Sequence, residues 1–224
     1  MIPLRDRTRS HSFPVMNWLL IAANTLVFLY ELGLQGGQLQ RFIGAYALVP
    51  ARVETDPATY AFTIFSSIFM HAGWFHFLSN MWVLFIFGDN VEDRMGPLRY
   101  LLFYLLGGLA AGLLQVSQTS GSTVPVLGAS GAIAAVLGAY IFLFPRARIV
   151  TLVFIVFFIS VIEIPAVVFL GFWFFSQLFS GLASLSAEAT QGVAWWAHIG
   201  GFLVGLVIFR FFLRRRATRM FETY

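Results

Sequence analysis

A few polar side chains interrupt otherwise apolar stretches of this sequence, and their types suit chemistry in which an oxyanion develops. Ser130 lies in Leu127-Gly128-Ala129-Ser130-Gly131-Ala132. Bare Gly-x-Ser-Gly is weak as a signal, because small residues at such spacing are a common device for packing helices in lipid. Its position says more. Ser130 opens an apolar segment, where free backbone N–H groups and the helix dipole favour negative charge, and Gly128 and Gly131 leave space for a substrate backbone. His198, in Trp195-Trp196-Ala197-His198-Ile199-Gly200-Gly201, falls in the first turn or so of another apolar segment. A third group is His71-x4-His76-x3-Asn80. His76 and Asn80 are four apart, so a helix presents them on one face, and both donate the hydrogen bonds that a tetrahedral oxyanion needs. His71 need not share that face and also fits an interfacial polar patch. His11, in a polar N-terminal stretch, reads as solvated.

Other hydrolytic chemistries fit worse. The chain has no cysteine, which removes thiolate nucleophiles, thiolate metal sites and disulfides. No His-Glu-x-x-His occurs. His71, His76 and His198 lack an acidic partner with obvious placement, so no metal and no cofactor are expected. Paired membrane aspartates are missing too: Asp89 would stand about 20 Å along a helix from His76. Asp89, Glu92, Asp93 and Arg94 read as helix-end and loop contacts, and Glu163 beside Pro165 as interfacial.

These residues need elements to position them, and composition says in what solvent. Of 224 residues 59% are hydrophobic and 11% charged, against roughly 45–50% and about 25% in soluble domains. Lipid must be the solvent. Apolar segments long enough for a bilayer core of about 30 Å run over 17–34, 74–90, 98–117, 128–145, 165–184 and 195–213. The glycines among them, including Gly107, Gly108, Gly112, Gly138, Gly201 and Gly205, let helices approach closely. No internal repeat is evident, which weakens a transporter reading.

All 14 basic residues are arginine, and their distribution orients the chain. With six spans, Arg5, Arg7, Arg9, Arg94, Arg99, Arg146, Arg148, Arg214, Arg215, Arg216 and Arg219 fall on one side, Arg210 snorkels towards it, and only Arg41 and Arg52 fall on the other. Both termini are therefore expected in the cytoplasm, and the basic balance is a topology signal rather than a sign of nucleic acid. A seventh span over Ile149–Ile162 would put the tail arginines outside. That stretch is accordingly expected to be interfacial or re-entrant, with Pro165 starting the fifth span. The outer loop 35–73 is long enough to hold structure of its own, expected as short helices in the outer leaflet. The organisation expected is a tail over 1–16, a membrane domain over 17–213 and an arginine-rich tail over 214–224. Under this topology, argued without reference to either residue, Ser130 and His198 arrive at similar depth.

With these residues in this order the chain resembles the rhomboid intramembrane serine proteases, in the compact six-span form common in bacteria. The resemblance covers Asn17 to about Arg215. It rests on His71-Ala72-Gly73-Trp74-Phe75-His76-Phe77-Leu78-Ser79-Asn80, Phe87-Gly88-Asp89-Asn90-Val91-Glu92-Asp93, Gly128-Ala129-Ser130-Gly131 and Ala197-His198-Ile199-Gly200-Gly201. It implies an all-α six-helix bundle, Ser130 as nucleophile and His198 as general base without an acidic third member. It further implies an oxyanion site from the Ser130 N–H, His76 and Asn80, with Gly128, Gly131, Gly201 and His71 in support. Gly201 would let the sixth span lie close to the fourth. Implied partners are transmembrane protein substrates and the lipid bilayer, and the implied location is the bacterial cell membrane. Two positions depart from some members: loop 35–73 has no Trp-Arg pair, and Ala134 stands where those members hold a Tyr against the imidazole. A silent relative that binds transmembrane helices, and a small transporter or channel, are the competing classes. The first would be expected to lack Ser or His, and the second to show broken helices or a charged midplane path.

Overall fold

The computed structural model describes residues 1–155, 158–184 and 193–214. In chain order these form β1 (Ile2–Asp6), α1 (Val15–Gly33), α2 (Gly37–Tyr46), α3 (Pro50–Thr55), α4 (Pro57–Tyr60), α5 (Thr63–Ser66), a 3-10 turn (Ser67–Phe69), α6 (Trp74–Met95), α7 (Pro97–Gln118), α8 (Ser130–Leu143), β2 (Arg148–Ile155), β3 (Phe158–Pro165), α9 (Ala166–Ser184), α10 (Trp195–Ile208) and a closing 3-10 turn (Phe209–Phe212). Helices α1, α7, α9 and α10 with its 3-10 extension are long and apolar enough to cross a membrane. A fifth crossing is available if Pro57–Phe69 and α6, which meet at a 78° bend, count as one broken span. Each of the six expected segments coincides with a helix. That over 128–145 is shorter than expected, 14 residues.

Packing follows the logic of a lipid solvent. Apolar side chains gain little by turning inward, so polar ones do. The buried face of α1 reads Asn17, Leu20, Asn24, Phe28, Glu31 at helical spacing, while Trp18, Leu19, Leu26 and Leu29 face outward. Asn17 donates from Nδ2 to the Leu84 carbonyl (3.1 Å) and accepts from the Tyr100 hydroxyl (2.8 Å). Glu92 caps the start of α1 by accepting from the N–H groups of Met16 (3.0 Å) and Asn17 (2.7 Å), satisfying donors that no helical carbonyl reaches. Gly96, at φ +83°, ends α6, and Pro97 opens α7, the pairing of left-handed cap and fixed φ that makes a tight reversal.

Helix α8 is buried almost throughout, enclosed by α6, α7 and α10. Its neighbours reach it through glycine. A Cβ on Gly201 would strike the Gly131 carbonyl, one on Gly205 the Ala135 carbonyl, and one on Gly138 the Phe202 carbonyl. The close approach of the last helix to α8 expected from Gly201 is thus present.

In the region 149–162, expected to be interfacial or re-entrant, the described residues form two strands. Arg148–Ile155 and Phe158–Pro165 pair antiparallel from Arg148↔Pro165 to Ile155↔Phe158, and β1 adds to β2 with Ile2 opposite Leu152 and Asp6 opposite Ile149. The cause is composition: Ile149, Val150, Thr151 and Val153 are β-branched and prefer a pleated strand. Pro165 accordingly ends β3, and the following helix begins at Ala166. The bundle is helical as expected, with this small three-stranded sheet added.

The first 16 residues are also more than a tail. Trp82 Nε1 donates to the Pro3 carbonyl (2.7 Å), and the Asp6 carboxylate accepts from the Tyr140 hydroxyl (2.5 Å) and Asn90 Nδ2 (2.9 Å). Arg7 pairs with Glu163 and its N–H donates to the Arg148 carbonyl (2.9 Å). At the same end of the bundle the Arg214 N–H donates to the Arg94 carbonyl (3.0 Å), and Arg99 Nη1 to the Leu213 carbonyl (2.7 Å). The arginine-bearing segments therefore gather at one end. Beyond Arg214 the arginine-rich tail lies outside the described residues.

Loop 35–73 folds as the short helices α2 to α5, as expected. With no Trp-Arg pair available, backbone contacts anchor it: Leu48 and Val126 exchange N–H···O bonds (3.0 and 2.7 Å), and the Gly128 N–H donates to the Ser67 carbonyl (2.9 Å). Glu54 Oε2 accepts from the Gly121 N–H (2.9 Å).

Candidate active site

Ser130 is the first residue of α8 and His198 lies in the first turn of α10. Both are at the bundle end opposite Arg7, Arg94, Arg99, Arg148 and Arg214. In α8 the first intrahelical bond runs from the Ile133 N–H to the Ala129 carbonyl (2.9 Å), so the N–H groups of Ser130, Gly131 and Ala132 are those a helix leaves without a carbonyl of its own. The glycine contacts that join α10 to α8 bring the two side chains together. Ser130 Oγ lies 2.7 Å from His198 Nε2, which is hydrogen-bond reach for a nucleophile and its base.

His76 and Asn80 share a face of α6, as their spacing predicts. The His76 ring covers Gly128: a Cβ there would sit 2.6 Å from His76 Cε1, 2.7 Å from Nε2 and 3.7 Å from Ser130 Oγ. Gly128 has φ +134°, a conformation and a clearance that only glycine meets. His76 is thereby held beside the serine. Asn80, one turn along the helix, is buried, and its Nδ2 has no hydrogen-bond partner among the described residues. A buried, unpaired amide donor costs about 1–3 kcal/mol, a cost tolerated where a ligand oxygen is to be met.

His71 stands behind this group, not in it. Its ring packs edge-on to Phe77 (5.4 Å) and Phe28 (6.2 Å) and against His76 (5.2 Å). Its backbone N–H donates to Glu31 Oε2 (3.0 Å), tying α1 to the entry of α6. Burial, and secondarily the neighbouring His76, pull the His71 imidazole down to about 3. Among the described residues no three His, Asp or Glu side chains cluster to hold a metal.

Three participants escaped the sequence reading. Gln177, on the inward face of α9 with Phe169, Leu170 and Gly181, presents Oε1 to His198 Nδ1 at 2.8 Å. Gln115, on α7, accepts from the Ala197 N–H (3.0 Å) and so caps the first turn of α10 beside His198. Glu31 supports His71. Each is a polar residue within a largely apolar helix, such as Gln177 in Phe174-Phe175-Ser176-Gln177-Leu178-Phe179, and a polar group inside a membrane segment was the available signal. In place of the tyrosine absent at Ala134, Trp173 lies face-tilted to the imidazole (6.0 Å, 33°) and Trp195 edge-on (6.2 Å, 88°).

A helical membrane bundle in which a serine at one helix start meets a histidine at another, with glycines where α10 crosses α8, defines a recognisable class. The chain belongs to the rhomboid family: the Rhomboid domain model matches residues 58–215. It is 28% identical over 177 residues to Rhomboid protein 1, mitochondrial, of Saccharomyces cerevisiae, covering 75% of this chain and 45% of that protein. It is 27% identical over 197 residues to the Presenilin-associated rhomboid-like protein, mitochondrial, of Homo sapiens (84% and 45%), and 30% identical over 161 residues to RHOMBOID-like protein 12, mitochondrial, of Arabidopsis thaliana (65% and 44%). The chain spans less than half the length of each. These relatives are eukaryotic and carry mitochondrial names, so they lend no support to the bacterial cell membrane suggested by the compact form.

Proposed function

We propose that this chain is an intramembrane serine endopeptidase that cuts transmembrane-segment substrates through Ser130 and His198. The observation that carries this is the 2.7 Å approach of Ser130 Oγ to His198 Nε2, made between helix starts at the end of the bundle away from Arg94, Arg148 and Arg214. In the proposed reaction His198 Nε2 takes the Ser130 hydroxyl proton as Oγ attacks the scissile carbonyl. The oxyanion is met by the Ser130 N–H, with the dipole of α8 behind it, and by the His76 and Asn80 side chains. The proton passes to the leaving amine, and the acyl-enzyme is then hydrolysed by water that His198 activates in turn. A substrate must present extended backbone to Ser130, so a transmembrane helix that unwinds easily reaches the reactive geometry at lower cost.

The same proposal places six spans in the bilayer, with both termini on the arginine-bearing side and the site opening on the other. The gathering of Arg7, Arg94, Arg99, Arg148 and Arg214 at one end supports that orientation.

The test is cleavage of a single-span model substrate by the purified chain in proteoliposomes, followed by gel and mass spectrometry, beside Ser130→Ala and His198→Ala. Cleavage by the native chain, lost by about 10³-fold or more in both variants, is expected. A folded native chain that cuts no substrate and whose Ser130 takes no fluorophosphonate label would instead leave a silent helix-binding protein.

A further inference from the structure

The proposed reaction needs one particular tautomer of His198. Nε2 has to accept the serine proton, so the neutral ring must carry its hydrogen on Nδ1. The serine cannot enforce this, since a hydroxyl accepts from an Nε2–H as readily as it donates to a bare nitrogen. The partner at Nδ1 decides, and that partner is the amide of Gln177, 2.8 Å away. An amide can show either end, and its two ends demand opposite tautomers.

The neighbours of Gln177 settle which end faces the ring. Its Nε2 lies 3.0 Å from Ser176 Oγ, and the Ser176 hydroxyl donates to the Trp173 carbonyl (2.6 Å). A hydroxyl has one hydrogen, here engaged by Trp173, so Ser176 Oγ meets the amide as an acceptor and the amide NH2 points to it. Gln177 Oε1 is then turned to His198 and takes the Nδ1–H. In the reverse setting two oxygens would face each other with no hydrogen between them, and the NH2 would drive the ring hydrogen onto Nε2.

We infer that Gln177 is a positioning residue for the reaction proposed above, holding His198 in the Nδ1–H tautomer at the end of a one-way relay. Along it Ser130 donates to His198, His198 to Gln177, Gln177 to Ser176 and Ser176 to the Trp173 carbonyl. Each donor polarises the next in the same sense. The amide oxygen also steadies the imidazolium that forms when Ser130 gives up its proton, a service supplied without a buried charge. This inference rests on the serine-protease reading, and it makes the seat of α9 a condition for a competent base on α10.

The experiment compares the native chain with Gln177→Met, Gln177→Glu and Ser176→Ala in proteoliposomes. It measures kcat and KM on the model substrate, the rate of fluorophosphonate labelling at Ser130 and the thermal midpoint. Methionine keeps the volume and suits an apolar site, whereas glutamate keeps an oxygen for Nδ1–H but is poorly suited to burial. The relay predicts that Gln177→Met lowers kcat and labelling by about 10²-fold with KM nearly unchanged, and that Gln177→Glu recovers most of the loss despite a lower midpoint. A residue that merely packs gives the opposite order. Ser176→Ala, which frees the amide to turn, is expected to lose kcat by about 3- to 10-fold with an unaltered midpoint, and this arm stands even if Gln177→Met fails to fold. Native-like kcat and labelling in Gln177→Met or in Ser176→Ala, or a glutamate variant worse than the methionine one, would overturn the relay while leaving the protease reading intact. A native chain that neither cleaves nor labels would remove that reading and the relay with it.

Discussion

At the scale of single residues, the site depends on groups with no packing role to spare. Asn80 keeps a buried Nδ2 without a partner among the described residues, so under the proposed reaction Asn80→Ala should relieve the fold slightly while lowering kcat by about 10²- to 10³-fold with KM nearly constant, the pattern of a donor used only in the transition state. Steady-state kinetics with a thermal melt on the same sample checks both halves. Gly128 offers the converse case. A methyl group there meets the His76 ring and a φ of +134°, so Gly128→Ala should cost about 1–3 kcal/mol of stability and displace His76 from the serine. Chemical denaturation in mild detergent together with fluorophosphonate labelling would show the two effects together. Ser130, His198, His76 and Asn80 were legible because polar residues inside apolar runs are scarce and these stand at segment starts. Gln177 and Gln115 also lie in largely apolar helices, yet their meaning depends on which helix lies opposite, and spacing along one chain does not contain that.

Elements were legible to the extent that lipid dictates them. Six apolar runs became six helices because a backbone in hydrocarbon must satisfy its own hydrogen bonds, and the short helices of loop 35–73 followed from its length. The sheet was missed because β-branched runs of eight residues look alike whether they pair or stay helical, and the third strand comes from Ile2–Asp6, nearly 150 residues upstream. Helix contact is the sharper property to test. Gly201 stands against the Gly131 carbonyl itself, where backbone must move to admit a methyl group. Gly201→Ala should therefore destabilise by about 1–3 kcal/mol and lengthen the Ser130–His198 approach, so activity should fall further than stability alone explains. Comparing residual kcat with the folded fraction at one temperature would separate the two.

At the scale of the whole molecule, the N-terminal segment closes the arginine-bearing end like a strap, and its hold depends on pH. Burial raises Asp6 above the usual carboxylate range, although the hydrogen bond from Tyr140 opposes the shift. A raised folded value means that the contribution of Asp6 is fully present below about pH 3.9 and is lost as pH rises through the folded value. Hydrogen exchange at the β1 amides, corrected for intrinsic rates, should be slower near pH 4 than near pH 7, and Asp6→Asn should remove the difference. Equal protection at both pH values in the native chain would contradict the sign. The other end of the molecule is governed by the brevity of α8. Fourteen helical residues rise only about 21 Å, while a bilayer core measures about 30 Å. If the end of α8 at Leu143 marks one surface, the serine stands about 9 Å beneath the other, a depth worth roughly six residues of helix or three of extended chain. Under the proposed function the chain would then act as a ruler. Its cut should fall at a fixed distance inside the outer boundary of a substrate's apolar segment, and lengthening that segment by a turn on its outer side should move the cut by a turn.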